Sequence, residues 1–108
     1  MKVKIGQEIE FKENFKIETF GGRKIDVKEG DKGVITSNGF IEYISGNAKG
    51  IVQKPDDAEV EGYDCRSISK MILNRLNVVF GLEEFLENEE IDKEEIVDEI
   101  EDLLVGIL

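Results

Sequence analysis

The chain of 108 residues contains no histidine, one cysteine and one proline. The absence of histidine excludes a Ser-His-Asp triad, a Cys-His dyad and histidine-containing zinc sites. Cys65 cannot form an internal disulfide, and a lone cysteine of this kind is more often a small packing residue than a nucleophile. The adjacent carboxylates Asp56 and Asp57 lie in a connecting segment, where nothing holds them at the fixed separation that acid-base hydrolysis needs. We therefore expect a protein that is not an enzyme and that requires no cofactor or metal.

Long apolar runs are absent as well. No stretch reaches the roughly 18 consecutive apolar residues of a membrane-spanning helix, and residues 1–8 contain no hydrophobic signal core. These features predict a cytoplasmic protein that does not bind membranes.

Negative charge is concentrated at the end of the chain. Residues 81–108 hold twelve carboxylates against one base, Lys93, so their local charge is −11, equal to the net charge of the whole chain. Residues 1–80 are therefore neutral overall. An acidic segment attracts basic surfaces and repels anionic ones. We expect a basic protein surface as the partner and no binding to duplex nucleic acid.

Residues 1–54 alternate apolar and polar side chains in short stretches that are separated by glycine turns. This period of two is typical of strands with one buried face. The dipeptide Asn38-Gly39 indicates a hairpin with a type I′ turn. The pattern predicts five to six short antiparallel strands that form a small β-barrel or a curled sheet.

Residues 55–63 read as an acidic linker that opens with Pro55. Asp57, Glu59, Glu61 and Gly62 imitate part of a calcium-binding loop. The twelfth position of that loop needs a bidentate acid, and here it is Ile68, so the sequence does not favour calcium binding.

Residues 64–108 change to the period of amphipathic helices. Asp64 or Ser67 can cap the first helix, Gly81 can end it, and Asp92 can cap the last one. A short helix is expected between them, from Leu82 to Glu87. The apolar stripe of the first helix consists of Ile68, Met71, Ile72, Leu76, Val79 and Phe80. The stripe of the last helix consists of Ile96, Val97, Ile100, Leu103, Leu104 and Ile107. Two to three helices that pack on a β-rich half give an α+β fold, which we expect to form one compact unit.

The acids of the last helix are the principal candidate site. Pairs such as Glu95 and Glu99 repel each other at a spacing of four residues by roughly 0.2–0.5 kcal/mol. One interpretation is a solvated face, or a face that meets the protein's own Arg23, Lys24, Lys28 and Lys32. The other is a rigid carboxylate array that imitates a phosphate backbone. The candidate partner-binding residues are Glu94, Glu95, Asp98, Glu99, Glu101 and Asp102. An alternative set is Glu83, Glu84 and Glu87.

The segment from Val27 to Ile35, a strand that enters Gly30-Asp31-Lys32-Gly33 and continues as another strand, resembles the turn of KOW and other Src-homology-3-like small barrels. The resemblance covers about half of the chain and implies a small-barrel fold. In its histidine-free, acidic composition the chain as a whole is similar to small orphan proteins of Firmicutes phages and mobile elements. Some of those proteins inhibit host nucleases.

The sequence therefore predicts a non-catalytic interaction or regulatory protein. Its acidic helical face would bind a basic, nucleic-acid-binding protein surface, as a nucleic-acid mimic encoded by a phage or mobile element would. The alternative is a small-barrel module that binds nucleic acid or a small ligand, with Phe20, Phe40 and Tyr43 as stacking faces. In that case the acidic helices would form an autoinhibitory cap or a homo-oligomer contact through the C-terminal apolar stripe.

Overall fold

The computed structural model describes residues 2–108, and the chain divides into a β unit that ends at Gly62 and a helical unit from Tyr63 to Leu108. The α+β fold predicted from the sequence is confirmed. The strands are β1 Lys2–Ile5, β2 Glu8–Glu10, β3 Phe15–Glu18, β4 Lys24–Val27, β5 Lys32–Ile35, β6 Ile41–Tyr43, β7 Val52–Gln53 and β8 Glu59–Tyr63. The helices are α1 Cys65–Phe80, α2 Leu82–Asn88 and α3 Lys93–Ile107.

The strands pair in three small sheets. One sheet has the order β2-β5-β6-β7 with antiparallel neighbours, and the others are the antiparallel β3-β4 pair and the β1-β8 pair. Within residues 2–108 these hydrogen-bonded sheets do not close into a barrel, whereas a curled antiparallel arrangement is compatible with them. Eight strands exceed the expected five to six, in part because β8 lies in the segment interpreted as a linker. All five residues of β8 are exposed, so this strand shows no buried-face alternation in the sequence.

The three sheets share one apolar core. Alternate residues such as Ile25 and Val27 on β4 point inward, as the period of two requires. The buried cluster consists of Val3, Ile17, Ile25, Val27, Ile35, Ile41, Tyr43 and Ala48. Tyr43 is 2% exposed, and its hydroxyl donates a hydrogen bond to Oε1 of Gln53 over 2.8 Å. Burial raises the pKa of this phenol.

The hairpin between β5 and β6 is present, but its predicted turn type is wrong. A type I′ turn needs a positive φ at both central residues. Gly39 has φ 80°, whereas Asn38 is not in the positive-φ region. The Gly39 amide donates to the Thr36 carbonyl over 2.9 Å, and the Thr36 amide donates to the Phe40 carbonyl over 2.8 Å. This pattern fits a turn followed by a glycine bulge, which Gly39 alone can satisfy.

The helix ends follow the sequence signals. A carboxylate oxygen of Asp64 accepts a hydrogen bond from the Ser67 amide at the start of α1, and Gly81 ends the helix with φ 67°. Asp92 caps α3 by accepting from the Glu94 amide. These caps satisfy amide groups that have no partner inside the first turn.

The buried face of α1 differs from the predicted stripe. Its buried residues are Ser69 and Leu73, whereas Met71, Ile72, Leu76, Val79 and Phe80 are exposed. Ser69 can be buried because its hydroxyl donates to the Cys65 carbonyl over 2.6 Å and leaves no unpaired polar group. Leu73 forms the core of the helical unit with Leu86 of α2 and Val97 of α3.

The end of α2 contains backbone strain. Glu90 has φ 55° and is the only non-glycine residue with a positive φ in residues 2–108. The Ile91 amide donates to the Leu86 carbonyl over 2.8 Å, and the Glu90 amide donates to the Glu87 carbonyl over 3.2 Å. These two bonds form a Schellman motif, in which glycine normally occupies the left-handed position.

Replacing Glu90 with glycine should stabilise the protein by about 0.5–1 kcal/mol. The left-handed conformation is strained for a residue with a Cβ atom, and the relief exceeds the added entropy of glycine in the unfolded chain. The measurement is the urea midpoint. Glu89→Gly is the matched control, because Glu89 has φ −91° and carries no such strain. A control that stabilises as much as Glu90→Gly would contradict the explanation.

Stability should fall as the pH rises above about 10, because the folded state keeps the Tyr43 proton at pH values where the unfolded chain releases it. A raised phenol pKa contributes stability that is present below the unfolded value of 10.0 and is lost above it. Denaturant melts across this range compare the wild type with Tyr43→Phe. The variant should show a smaller alkaline loss, and equal losses in both proteins would disprove the assignment to Tyr43.

Candidate protein-interaction surface

The six candidate acids of α3 separate into two rows. Glu94, Asp98 and Glu101 form an inner row that meets Arg66 of α1. Glu95, Glu99 and Asp102 form an outer row on a different face of the helix. The spacings of four and three residues place the members of each row one above another. The sequence therefore identified the helix but not the division of its charges.

Arg66 binds all three acids of the inner row. Its Nη2 donates to Oε2 of Glu94 over 2.6 Å, and its Nη1 donates to Oε2 of Glu101 over 3.0 Å and also to Oδ1 of Asp98. Hydrogen bonds to Asp98 and Glu101 raise the pKa of the guanidinium above its usual range. Because the Arg66 side chain is 40% exposed, water screens these ion pairs in part. The planar guanidinium has five N–H donors on separate nitrogens, so Nη1 and Nη2 of Arg66 reach different carboxylates at the same time.

Arg66 was not among the candidate residues. It is the second residue of α1, where the helix dipole disfavours a cation and where α1 carries no acid in its first turn. This unfavourably placed cation is the feature of the sequence that could have identified Arg66, because an anion nearby offsets its interaction with the helix dipole. The bases considered as internal partners, Arg23, Lys24, Lys28 and Lys32, belong to the β unit.

In the described residues, 2–108, the outer row is exposed and has no internal counter-charge. Within residues 2–108, the side chains of Glu95, Glu99 and Asp102 form no ion pair and no hydrogen bond. Their mutual repulsion is therefore unrelieved, in contrast to that of the inner row. An external cation that approaches α3 would meet this row with its carboxylates unoccupied.

The alternative acids lie on α2 and differ from one another in their ion pairing. The carboxylate of Glu83 lies 3.7 Å from the ammonium of Lys93, and the Glu83 amide donates to Oδ1 of Asn77 over 2.9 Å. Glu84 and Glu87 are exposed, and in the described chain their side chains form no ion pair. Glu83 and Glu87 also line a cavity of about 220 Å³ together with Lys93. Part of this set is thus neutralised by the helical unit itself.

Of the three aromatic residues predicted as stacking faces, one is buried and one is half-buried. Tyr43 is in the core of the β unit and Phe40 is half-buried, whereas Phe20 is fully exposed after β3. A stacking platform for single strands needs several exposed rings in succession. These positions weigh against the nucleic-acid alternative.

The structure also places the two remaining candidates from the sequence, Cys65 and the calcium-loop-like segment. Cys65 is half-buried at the start of α1, and β8 occupies residues 59–63 of the calcium-loop-like segment. No group of three or more metal-ligating side chains is positioned to hold an ion in residues 2–108. In the same part of the chain, every helix is too short or too polar to cross a membrane.

Comparison of the chain with protein-family models, with curated proteins and with solved structures gives no significant match. The candidate surface is therefore assigned from its own geometry.

Arg66→Met should destabilise the protein, because it leaves the three inner-row carboxylates facing one another without a counter-charge. The urea midpoint should fall more than in the control Lys93→Met, which removes only the longer ion pair to Glu83. Adding Asp98→Asn and Glu101→Gln to Arg66→Met should restore part of the loss. If the added changes lower the midpoint further, repulsion within the row is not the cause.

Proposed function

We propose that this protein is a non-catalytic interaction protein whose acidic helical face binds a basic protein surface. The partner surface would itself be one that binds nucleic acid, and the protein would block it as a nucleic-acid mimic of phage or mobile-element origin. The observation that carries the proposal is the outer row, three exposed carboxylates on one helix that have no internal partner within residues 2–108.

The division of the acids supports this function. The inner row stabilises the contact between α1 and α3 through Arg66, so its carboxylates are engaged within the protein. The outer row contributes no such contact, although its repulsion reduces helix stability. A surface that lowers stability without an internal function is typical of a binding site.

The charge of the outer row also sets the mode of association. Unpaired carboxylates attract a basic surface over distances of about one Debye length, about 8 Å at physiological salt. Such attraction increases the association rate and gives it a strong salt dependence. The same field opposes binding to duplex DNA, which is itself an anion.

The test compares two triple variants of the full chain. Glu95→Gln, Glu99→Gln and Asp102→Asn neutralise the outer row, and Glu94→Gln, Asp98→Asn and Glu101→Gln neutralise the inner row with the same loss of charge. Wild-type protein first captures its partner from a host lysate. The association rate of the purified partner is then measured at several salt concentrations.

The urea midpoint of the outer-row variant should stay the same or rise slightly. Its association rate should be lower than that of the wild type, and this rate should depend much less on salt. The inner-row variant should lose stability because Arg66 loses its partners, yet retain the faster association. Equal association rates for the wild type and the outer-row variant would disprove the proposed function.

A further inference from the structure

The C-terminal half of α3 has an apolar face with no cover. The core of the helical unit contacts α3 through Val97 and Ile96, in the first two turns. Beyond them no residue of α3 is buried, and Leu103 and Ile107 are 63% and 70% exposed. Soluble domains seldom leave neighbouring large apolar side chains in water without a function.

This face continues directly from the outer row. Residues four apart form a ridge along a helix, and Glu95, Glu99, Leu103 and Ile107 lie on one such ridge. We refer to these four residues as the mixed ridge. It is about 18 Å long, acidic in its first half and apolar in its second. The neighbouring ridge of Ile96, Ile100 and Leu104 is half-buried, so the mixed ridge is the accessible one.

We infer that the mixed ridge is a docking surface for a basic amphipathic helix of the partner. This inference rests on the proposed function and adds the conformation of the partner. The facing ridge of that helix carries lysine or arginine opposite Glu95 and Glu99, and aliphatic side chains opposite Leu103 and Ile107.

Charge complementarity selects this occupant. A second copy packed parallel on the same ridge would bring Glu95 and Glu99 close to identical acids, in a protein of net charge −11. Packed antiparallel, it would place these acids against Leu103 and Ile107 with no counter-charge. An uncharged apolar helix would leave these carboxylates facing it unpaired. A basic helix neutralises the acidic half and covers the apolar half in one contact.

A helix also fits the spacing better than a strand does. The features of the mixed ridge recur every four residues, about 6 Å along the axis. Side chains four apart on a partner helix recur at the same interval, so two ridges can lie side by side over their full length. In binding of this kind, the partner helix makes its main contacts through side chains at positions i, i+4 and i+7 or i+8.

The test uses an alanine-rich peptide of about 18 residues, long enough to be partly helical, with Lys, Lys, Leu and Leu at successive positions four apart. A control peptide has the same composition with these four residues spread around the helix. Fluorescence anisotropy with the full-length protein gives both affinities. We expect the peptide with the aligned ridge to bind about tenfold or more tightly than the control.

The variant Leu103→Gln with Ile107→Gln should reduce this affinity about tenfold or more, mainly by faster dissociation. Val78→Gln with Phe80→Gln is the matched control, because these α1 residues are similarly exposed at 71% and 76%. All four substitutions are at exposed positions, so the fold should be retained, which circular dichroism checks. The matched control should bind the aligned peptide as the wild type does.

Three outcomes would overturn the inference. The first is equal binding of both peptides, or no saturable binding of the aligned one. The second is that the outer-row variant lowers the affinity for the aligned peptide, whereas Leu103→Gln with Ile107→Gln leaves it unchanged. In that case the acidic face still binds basic surfaces, and the proposed function survives. The third is a wild-type dimer in sedimentation that the Leu103 and Ile107 changes dissociate, which would make a second copy the occupant.

Discussion

Arg66 holds three carboxylates of α3, and the division of the α3 acids into an inner and an outer row depends on this contact. Glu94, Asp98 and Glu101 would repel one another on any helix that placed them four and three residues apart. The guanidinium converts that repulsion into an attraction between α1 and α3, next to the apolar contact of Leu73 with Val97. The three carboxylates in turn compensate for the placement of the Arg66 cation at the positive end of the α1 dipole.

The apolar core of the helical unit is small. Three buried side chains, Leu73, Leu86 and Val97, with Leu82 and Ile96 beside them, hold together a segment of about 46 residues. A core of this size contributes little stability by itself. The ion network and the helix caps therefore carry more weight here than they would in a larger domain. The same shortage of core leaves apolar side chains of α1 and α3 exposed to solvent.

The surface that we propose for partner binding follows from the packing of α3 on α1. Only one row of α3 can face α1, so the acids on that side are neutralised and those on the other side remain open to a partner. In the proposed complex, the apolar residues beyond Ile100 extend the outer row and add an apolar contact to its charges. Charge would then govern the rate of encounter and apolar contact the lifetime of the complex, as is general for mixed interfaces.

The sequence alone determined the elements whose causes are local. Caps at Asp64 and Asp92, the stop at Gly81 and the alternation of β4 depend on neighbours in the chain, and all were predictable. The uniformly exposed β8 and the turn type at Asn38 depend on pairing with other strands, and they were missed or misassigned. Only the tertiary structure placed Arg66 on α3 and buried Ser69 and Leu73 instead of the broader apolar stripe. Periodicity defines which residues share a face, but the partner helix decides which face is covered, and that contact joins residues about 30 positions apart.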